Sequence, residues 1–137
     1  MRRLLESTRN TSIDTTTSTI GVLQSGTITD VNVDVEISHI WTEDLDVQLS
    51  KGITSAWLFR DQCSADDDVN ATFDDSGSPL ICGGVPSISG TVIPEEPLAA
   101  FNGGDAAGIW TLSVTDDAAI ISGTLNSWCV TIEYEVL

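Results

Sequence analysis

The sequence predicts an all-β domain, and three observations carry that expectation. Apolar and polar residues alternate at period two, as in Val31, Val33, Val35 and Ile37 against Asn32, Asp34, Glu36 and Ser38, which puts each apolar set on one face of a strand. Turn-forming clusters such as Asn102-Gly103-Gly104-Asp105 separate the alternating runs. The two closing runs each place a tryptophan, Trp110 and Trp128, on the inward phase, as anchors of a β core.

At 137 residues the chain has the length of one domain and can bury roughly 65–70% of its unfolded surface. Charge is the outlier. Asp and Glu number 21 against 5 Lys and Arg, a formal net charge of −16. Such a surface repels phosphate backbones and anionic membranes, which excludes nucleic acid as a natural partner and makes cations the natural counterpart. A second reading of the acidity is solubility in a salty medium, where screening relieves self-repulsion. No apolar run reaches the ~18 residues needed to span a bilayer, and the opening residues do not read as a signal peptide.

Taken in order, residues 1–19 are polar and Thr-rich and read as an N-terminal arm or linker feeding an edge strand. This arm is able to add a strand to a neighbouring copy, and residues 20–137 form the domain proper. From Thr27 a long strand runs with Val31, Val33, Val35, Ile37, His39 and Trp41 on its dry phase. His39 is the only histidine, and with no His or Cys partner at a matching spacing it reads as a buried structural residue. Leu45, Val47 and Leu49 continue the pattern. Lys51-Gly52 marks a turn, and Ile53, Ser55, Trp57 and Phe59 form the returning strand of a hairpin. Asp44 and Asp46, two apart, project together at the start of the first hairpin strand, where they repel unless a cation lies between them.

The next stretch gathers Asp61, Asp66, Asp67, Asp68, Asn70, Asp74 and Asp75, with Val69 and Phe73 as its large apolar anchors. Like-charged blocks are commonly solvated and unstructured. Cys63 and Cys82 flank this block, and a disulfide between them closes it and implies an oxidising compartment. Cys129, on the polar phase of the last strand, is a competing partner, and three reduced thiols are a further alternative. An ordered loop of this composition calls for a counter-charge, and its hard oxygen donors suit Ca²⁺. The expected ligands are Asp44, Asp66, Asp67, Asp68, Asp74 and Asp75. Asp105, Asp116 and Asp117 read as turn residues or as a second site.

Four segments in register, ISHIWTEDLDVQL (37–49), SADDDVNATFDDSGSP (64–79), IPEEPLAAFNGGDAAGIWTLSVTDDAA (93–119) and SGTLNSWCVTI (122–132), resemble the P domain, or P/Homo B domain. This domain follows the catalytic domain of kexin- and furin-type proprotein convertases and of many bacterial secreted proteases. The resemblance covers roughly residues 20 to 136. It implies a jelly-roll β-sandwich of about eight mainly antiparallel strands, with bound calcium, no catalytic residues of its own, a protease domain in the same polypeptide as partner, and a secreted or cell-surface setting. Cys129 stands where the family commonly has serine or a similar residue, so no family role carries over to it.

Independent catalysis finds little support in the residues. A nucleophile needs a base, and the one histidine lies on a core phase; the carboxylates that a glycosidase uses cluster here in turns. The expectation is a non-catalytic, calcium-stabilised accessory domain of a subtilisin-like or related protease. The alternative is a stand-alone extracellular adhesion or self-assembling filament module that associates through its arm.

Overall fold

The computed structural model describes residues 2–4, 8–10, 14–117 and 123–136, with backbone alone at 2–4, 8–10 and 14. Much of the expected arm, and residues 118–122 of the connection before the last strand, lie outside the described residues. The strands are β1 (Arg2–Leu4), β2 (Thr8–Asn10), β3 (Asp14–Val22), β4 (Thr27–His39), β5 (Leu45–Lys51), β6 (Thr54–Arg60), β7 (Val69–Ser78), β8 (Ile88–Val92), β9 (Gly108–Asp116) and β10 (Gly123–Glu135). Two 3-10 turns, Thr42–Asp44 and Leu98–Phe101, complete the elements.

The strands form two sheets, one in the order β1-β10-β4-β7-β8 with β2 also on β10, the other in the order β3-β9-β5-β6. All pairings are antiparallel except β7 with β8, which is parallel. This is the expected jelly-roll sandwich: the long strands are joined by connections that pass from one sheet to the other, and the β5–β6 hairpin stays within its sheet. Gly52 makes that hairpin tight, because its φ of +60° lies where a side chain is strained.

The core is the set of inward phases the alternation marks. Val31, Val33, Val35 and Ile37 of β4 face Leu45, Val47 and Leu49 of β5, with Leu112 and Val114 of β9 beside them, and all are buried. Aromatic rings from opposite sheets meet in the middle: Phe59 of β6 stacks on Phe73 of β7 at 5.7 Å between centroids. Trp110 packs at 5.1 Å from Phe101 and donates its indole N–H to the Ala106 carbonyl, so its polar atom is satisfied as burial requires.

Three sequence expectations change. Residues 69–75 are not loop but strand β7, with Val69, Ala71 and Phe73 buried; their period-two pattern is masked in the sequence by the aspartates around it. In β6 the inward residues are Ala56 and Leu58, while Ile53 is fully exposed. A bulge opposite Val47 and Gln48 shifts the register, which lets the neighbouring Phe59 turn inward too. Trp41 lies past the end of β4 and is 42% exposed, so the dry face stops at His39.

The outer edge of β6 is covered rather than open. The Glu95 and Glu96 N–H groups donate to the Leu58 and Trp57 carbonyls, and the Trp57 N–H donates to Glu96 Oε1, which removes an edge that could template aggregation.

Candidate metal centre

One rim of the sandwich collects carboxylates because of how β5 is flanked. β5 lies between β6 and β9, and Leu45 and Asp46 at its start pair with Asp116 at the end of β9 and Arg60 at the end of β6. The residue after each neighbour is an aspartate, so Asp61 and Asp117 arrive on either side of Asp46. Both are tied down through the backbone: the Asp61 N–H donates to the Leu45 carbonyl at 3.2 Å and the Asp117 N–H to the Asp44 carbonyl at 2.7 Å.

One carboxylate oxygen from each of Asp46, Asp61 and Asp117 lies within 4.8 Å of the other two. Asp46 Oδ1 is buried with no hydrogen-bond partner. Burial first, and then the charges of Asp117 and Asp61, push the Asp46 carboxyl up to about 6. Burial and the Asp61 charge raise Asp117 as well. Among the described side chains the cations are Lys51 and Arg60. Lys51 sits at the other end of β5, near the Trp110 ring. Arg60, although paired with Asp46 across the strands, stacks on Trp57 at 4.6 Å and bonds its guanidinium to Glu95. The three carboxylates therefore lack a dedicated counter-charge among these residues.

A second group, His39, Asp44 and Asp116, also brings ligand atoms within 4.8 Å of one another, but its histidine is already committed. His39 Nδ1 accepts the Trp41 N–H at 3.0 Å, which fixes the proton on Nε2. Nε2–H donates to Asp116 Oδ2 at 2.9 Å, with both side chains fully buried. No ring lone pair remains for a metal, and the group is a structural link between β4 and β9. It supports the structural reading of His39.

Of the six residues expected from sequence to bind calcium, Asp44 alone belongs to either group. Asp44 is raised by burial and by Asp116, partly offset by His39. Asp66 is exposed, and its carbonyl accepts the Thr42 N–H and hydroxyl. The Asp67 carbonyl accepts the buried Ser87 N–H. Asp68 clasps the end of β4, its Oδ1 accepting the His39 N–H while its own N–H donates to the His39 carbonyl. Asp74 Oδ1 accepts the Ser76 N–H, and the two oxygens of Asp75 accept the Leu98 and Ala99 N–H groups, capping the second 3-10 turn. Asp105 is a turn residue, held below the usual carboxylate range by the N–H groups of Gly26 and Ala107 and by Ser25. Sequence reasoning gave weight to the density of aspartates in one run. The group the fold assembles draws one residue from each of three strand ends, and the sequence offers its members only separately: Asp46 beside Asp44 at a strand start, Asp61 at the edge of the acidic run, and Asp117 as a turn residue or part of a second site.

The pairing Cys63–Cys82 is present as a disulfide. It ties residue 63, two beyond Asp61, to the segment before β8. Cys129 lies half-buried on β10.

The family model of the proprotein convertase P-domain matches residues 28–132, from β4 to β10. The crystal structure of the Aeromonas sobria serine protease in complex with a chaperone superposes with a TM-score of 0.60 at 18% identity, covering 99% of this chain and 28% of that one. A second crystal structure of the serine protease of Aeromonas sobria gives 0.55 at 15% identity, with 98% and 27% covered. The chain thus spans little more than a quarter of these solved structures, and at such identities the likeness is one of fold. No curated protein sequence matches the chain.

Proposed function

The chain belongs to the proprotein convertase P-domain family, and from that premise we propose that it serves as the accessory, non-catalytic β-sandwich of a secreted serine protease of subtilisin-like type, stabilised by Ca²⁺. The observation that carries the protease association is the family match across residues 28–132, which takes in seven of the ten strands among the described residues and both walls of the core. The share of the Aeromonas protease chains that the fold covers, 28% and 27%, is what an appended domain occupies. The disulfide fits an oxidising compartment, and among the described residues no helix is long and apolar enough to cross a membrane.

The calcium part rests on Asp46, Asp61 and Asp117. Their oxygens lie within 4.8 Å of one another, the span of two Ca–O distances of about 2.4 Å, so a small inward shift of the side chains brings all three onto one ion. The unpartnered, buried Asp46 Oδ1 is the kind of acceptor that costs free energy unless a cation or proton meets it. When bound, calcium supplies the positive charge that lets three carboxylates stay ionised side by side. The residues themselves do the rest: β5, β6 and β9 hold the donors in place, and an ion shared among them ties three strand ends together. Binding to the native state alone adds about 2.7 kcal/mol at a hundredfold excess over Kd.

The protease part is tested on the polypeptide that carries this domain. Deleting residues 20–137 from it and following secretion and proteolytic activity should abolish the accumulation of active protease. A coding sequence without any catalytic domain, together with concentration-dependent assembly of the isolated chain by light scattering, would contradict the reading and favour the filament module.

A further inference from the structure

The segment between β6 and β7, residues 61–68, adopts an unfavourable backbone conformation although most of its side chains are exposed. Four of its non-glycine residues lie in the left-handed region: Asp61 at φ +53°, Cys63 at +72°, Ser64 at +44° and Asp68 at +69°. Each is uncommon for a residue with a Cβ and persists only where the surroundings impose it. Yet Cys63 is the only one of the eight whose side chain is buried; Asp61, Gln62, Ser64, Ala65 and Asp66 are exposed, and Asp67 and Asp68 are half-buried. The segment's one covalent cross-link is the disulfide to Cys82; Asp68 Oδ1, which accepts the His39 N–H, adds a side-chain hydrogen bond at its far end. Cys82 lies in an exposed run, with Ile81 and Gly83 to Val85 also exposed.

The same segment supports the rim. The Thr42 N–H donates to the Asp66 carbonyl, the Glu43 N–H to Ser64 and the Asp68 N–H to His39. Asp61, two residues from Cys63, is one of the three clustered carboxylates. The core strands on either side have contacts of their own: Phe59 stacks on Phe73, and β4 is held by ladders to β10 and β7.

We propose that the Cys63–Cys82 disulfide is a thiol-sensitive clasp: its reduction releases residues 61–68 and withdraws Asp61 from Asp46 and Asp117 while the sandwich stays folded. The reductant is a dithiol. Its thiolate attacks the sulfur of Cys82, the residue of the pair in the exposed run, the Cys63 thiolate leaves and takes a proton, and the second thiol of the reductant resolves the mixed disulfide, so that two electrons and two protons pass to the cysteines and the dithiol becomes a disulfide. In the ion-bound state described under Proposed function, on which this consequence alone rests, the release weakens calcium binding.

The test is amide hydrogen exchange on the intact chain, oxidised and then treated with dithiothreitol without denaturant, with the Cys63→Ser/Cys82→Ser double variant as a permanent mimic of the open state. Protection at Thr42, Glu43, Asp66 and Asp68 should fall by about tenfold or more, with protection of β4 and β10 unchanged. Unchanged protection in these four amides after complete reduction overturns the clasp, as does loss of protection throughout the sandwich, or failure of dithiothreitol to reduce the bond in the folded protein. Calorimetry with Ca²⁺ on both forms separates the two readings. Binding by the oxidised form that weakens about tenfold on reduction supports both; equal binding by both forms overturns the link to the cluster; absence of binding by the oxidised form overturns the calcium reading, while exchange still decides the clasp.

Discussion

His39 Nε2–H donates to Asp116 Oδ2 at 2.9 Å with both side chains at zero exposure, and this bond joins the end of β4 in one sheet to the end of β9 in the other. A hydrogen bond to a charged acceptor in such surroundings contributes more than an exposed one, and removal of one partner leaves a buried charge short of a donor. His39→Ala should therefore lower unfolding free energy by about 3 kcal/mol, read from urea titration. A loss below about 1 kcal/mol would show that the pair behaves like a surface contact.

The second 3-10 turn depends on one side chain. Asp75 accepts two N–H groups, from Leu98 and Ala99 at 2.8 Å each, so Asp75→Ala should cost about 1–2 kcal/mol. Because Asp75 stands outside the rim group, the same variant should bind calcium with unaltered affinity in calorimetry. A weakened affinity would return the site to the acidic run between Asp66 and Asp75.

The contrast between those two aspartate sets shows what the sequence makes legible. Strands β4, β5, β9 and β10 announce themselves because each has one dry face, and a dry face is a local, period-two property. The disulfide is favoured by its flanking positions, and the family resemblance supplies the jelly-roll topology. β7 escapes because Asp74 and Asp75 outweigh Val69, Ala71 and Phe73 in the composition of the run, and the inward turn of Phe59 depends on a bulge that no periodicity encodes. The rim group is least legible of all. Asp46, Asp61 and Asp117 meet only because β6 and β9 both flank β5, a pairing decided by long-range topology.

Stability should depend on pH through Asp46. Burial and the neighbouring carboxylates push its folded carboxyl up to about 6 from an ordinary 3.8, so between those values the folded state holds more protons than the unfolded one. Stability in the absence of divalent ions therefore falls as pH rises from about 4 through about 6, by roughly 1 kcal/mol once solvent screening at the rim is counted. Asp46→Asn should flatten this segment of the profile. A stability that rises across the window in chelator would contradict the assigned crowding of Asp46 by Asp61 and Asp117.

The core stack gives a control independent of the rim. Phe73 is fully buried against Phe59, and Phe73→Ala should cost about 3–5 kcal/mol with little change in the pH profile. A change in the profile comparable to that of Asp46→Asn would mean the rim senses the core more strongly than the strand-end geometry implies.

The measurement that bears most directly on the central claim is calcium calorimetry at neutral pH and low salt on the native chain beside Asp46→Asn, paired with thermal unfolding in calcium and in chelator. The account predicts one site, weakened at least tenfold by the substitution, and a native melting temperature about 10 °C higher in saturating calcium. Identical melting in calcium and chelator, with no heat of binding, would contradict it.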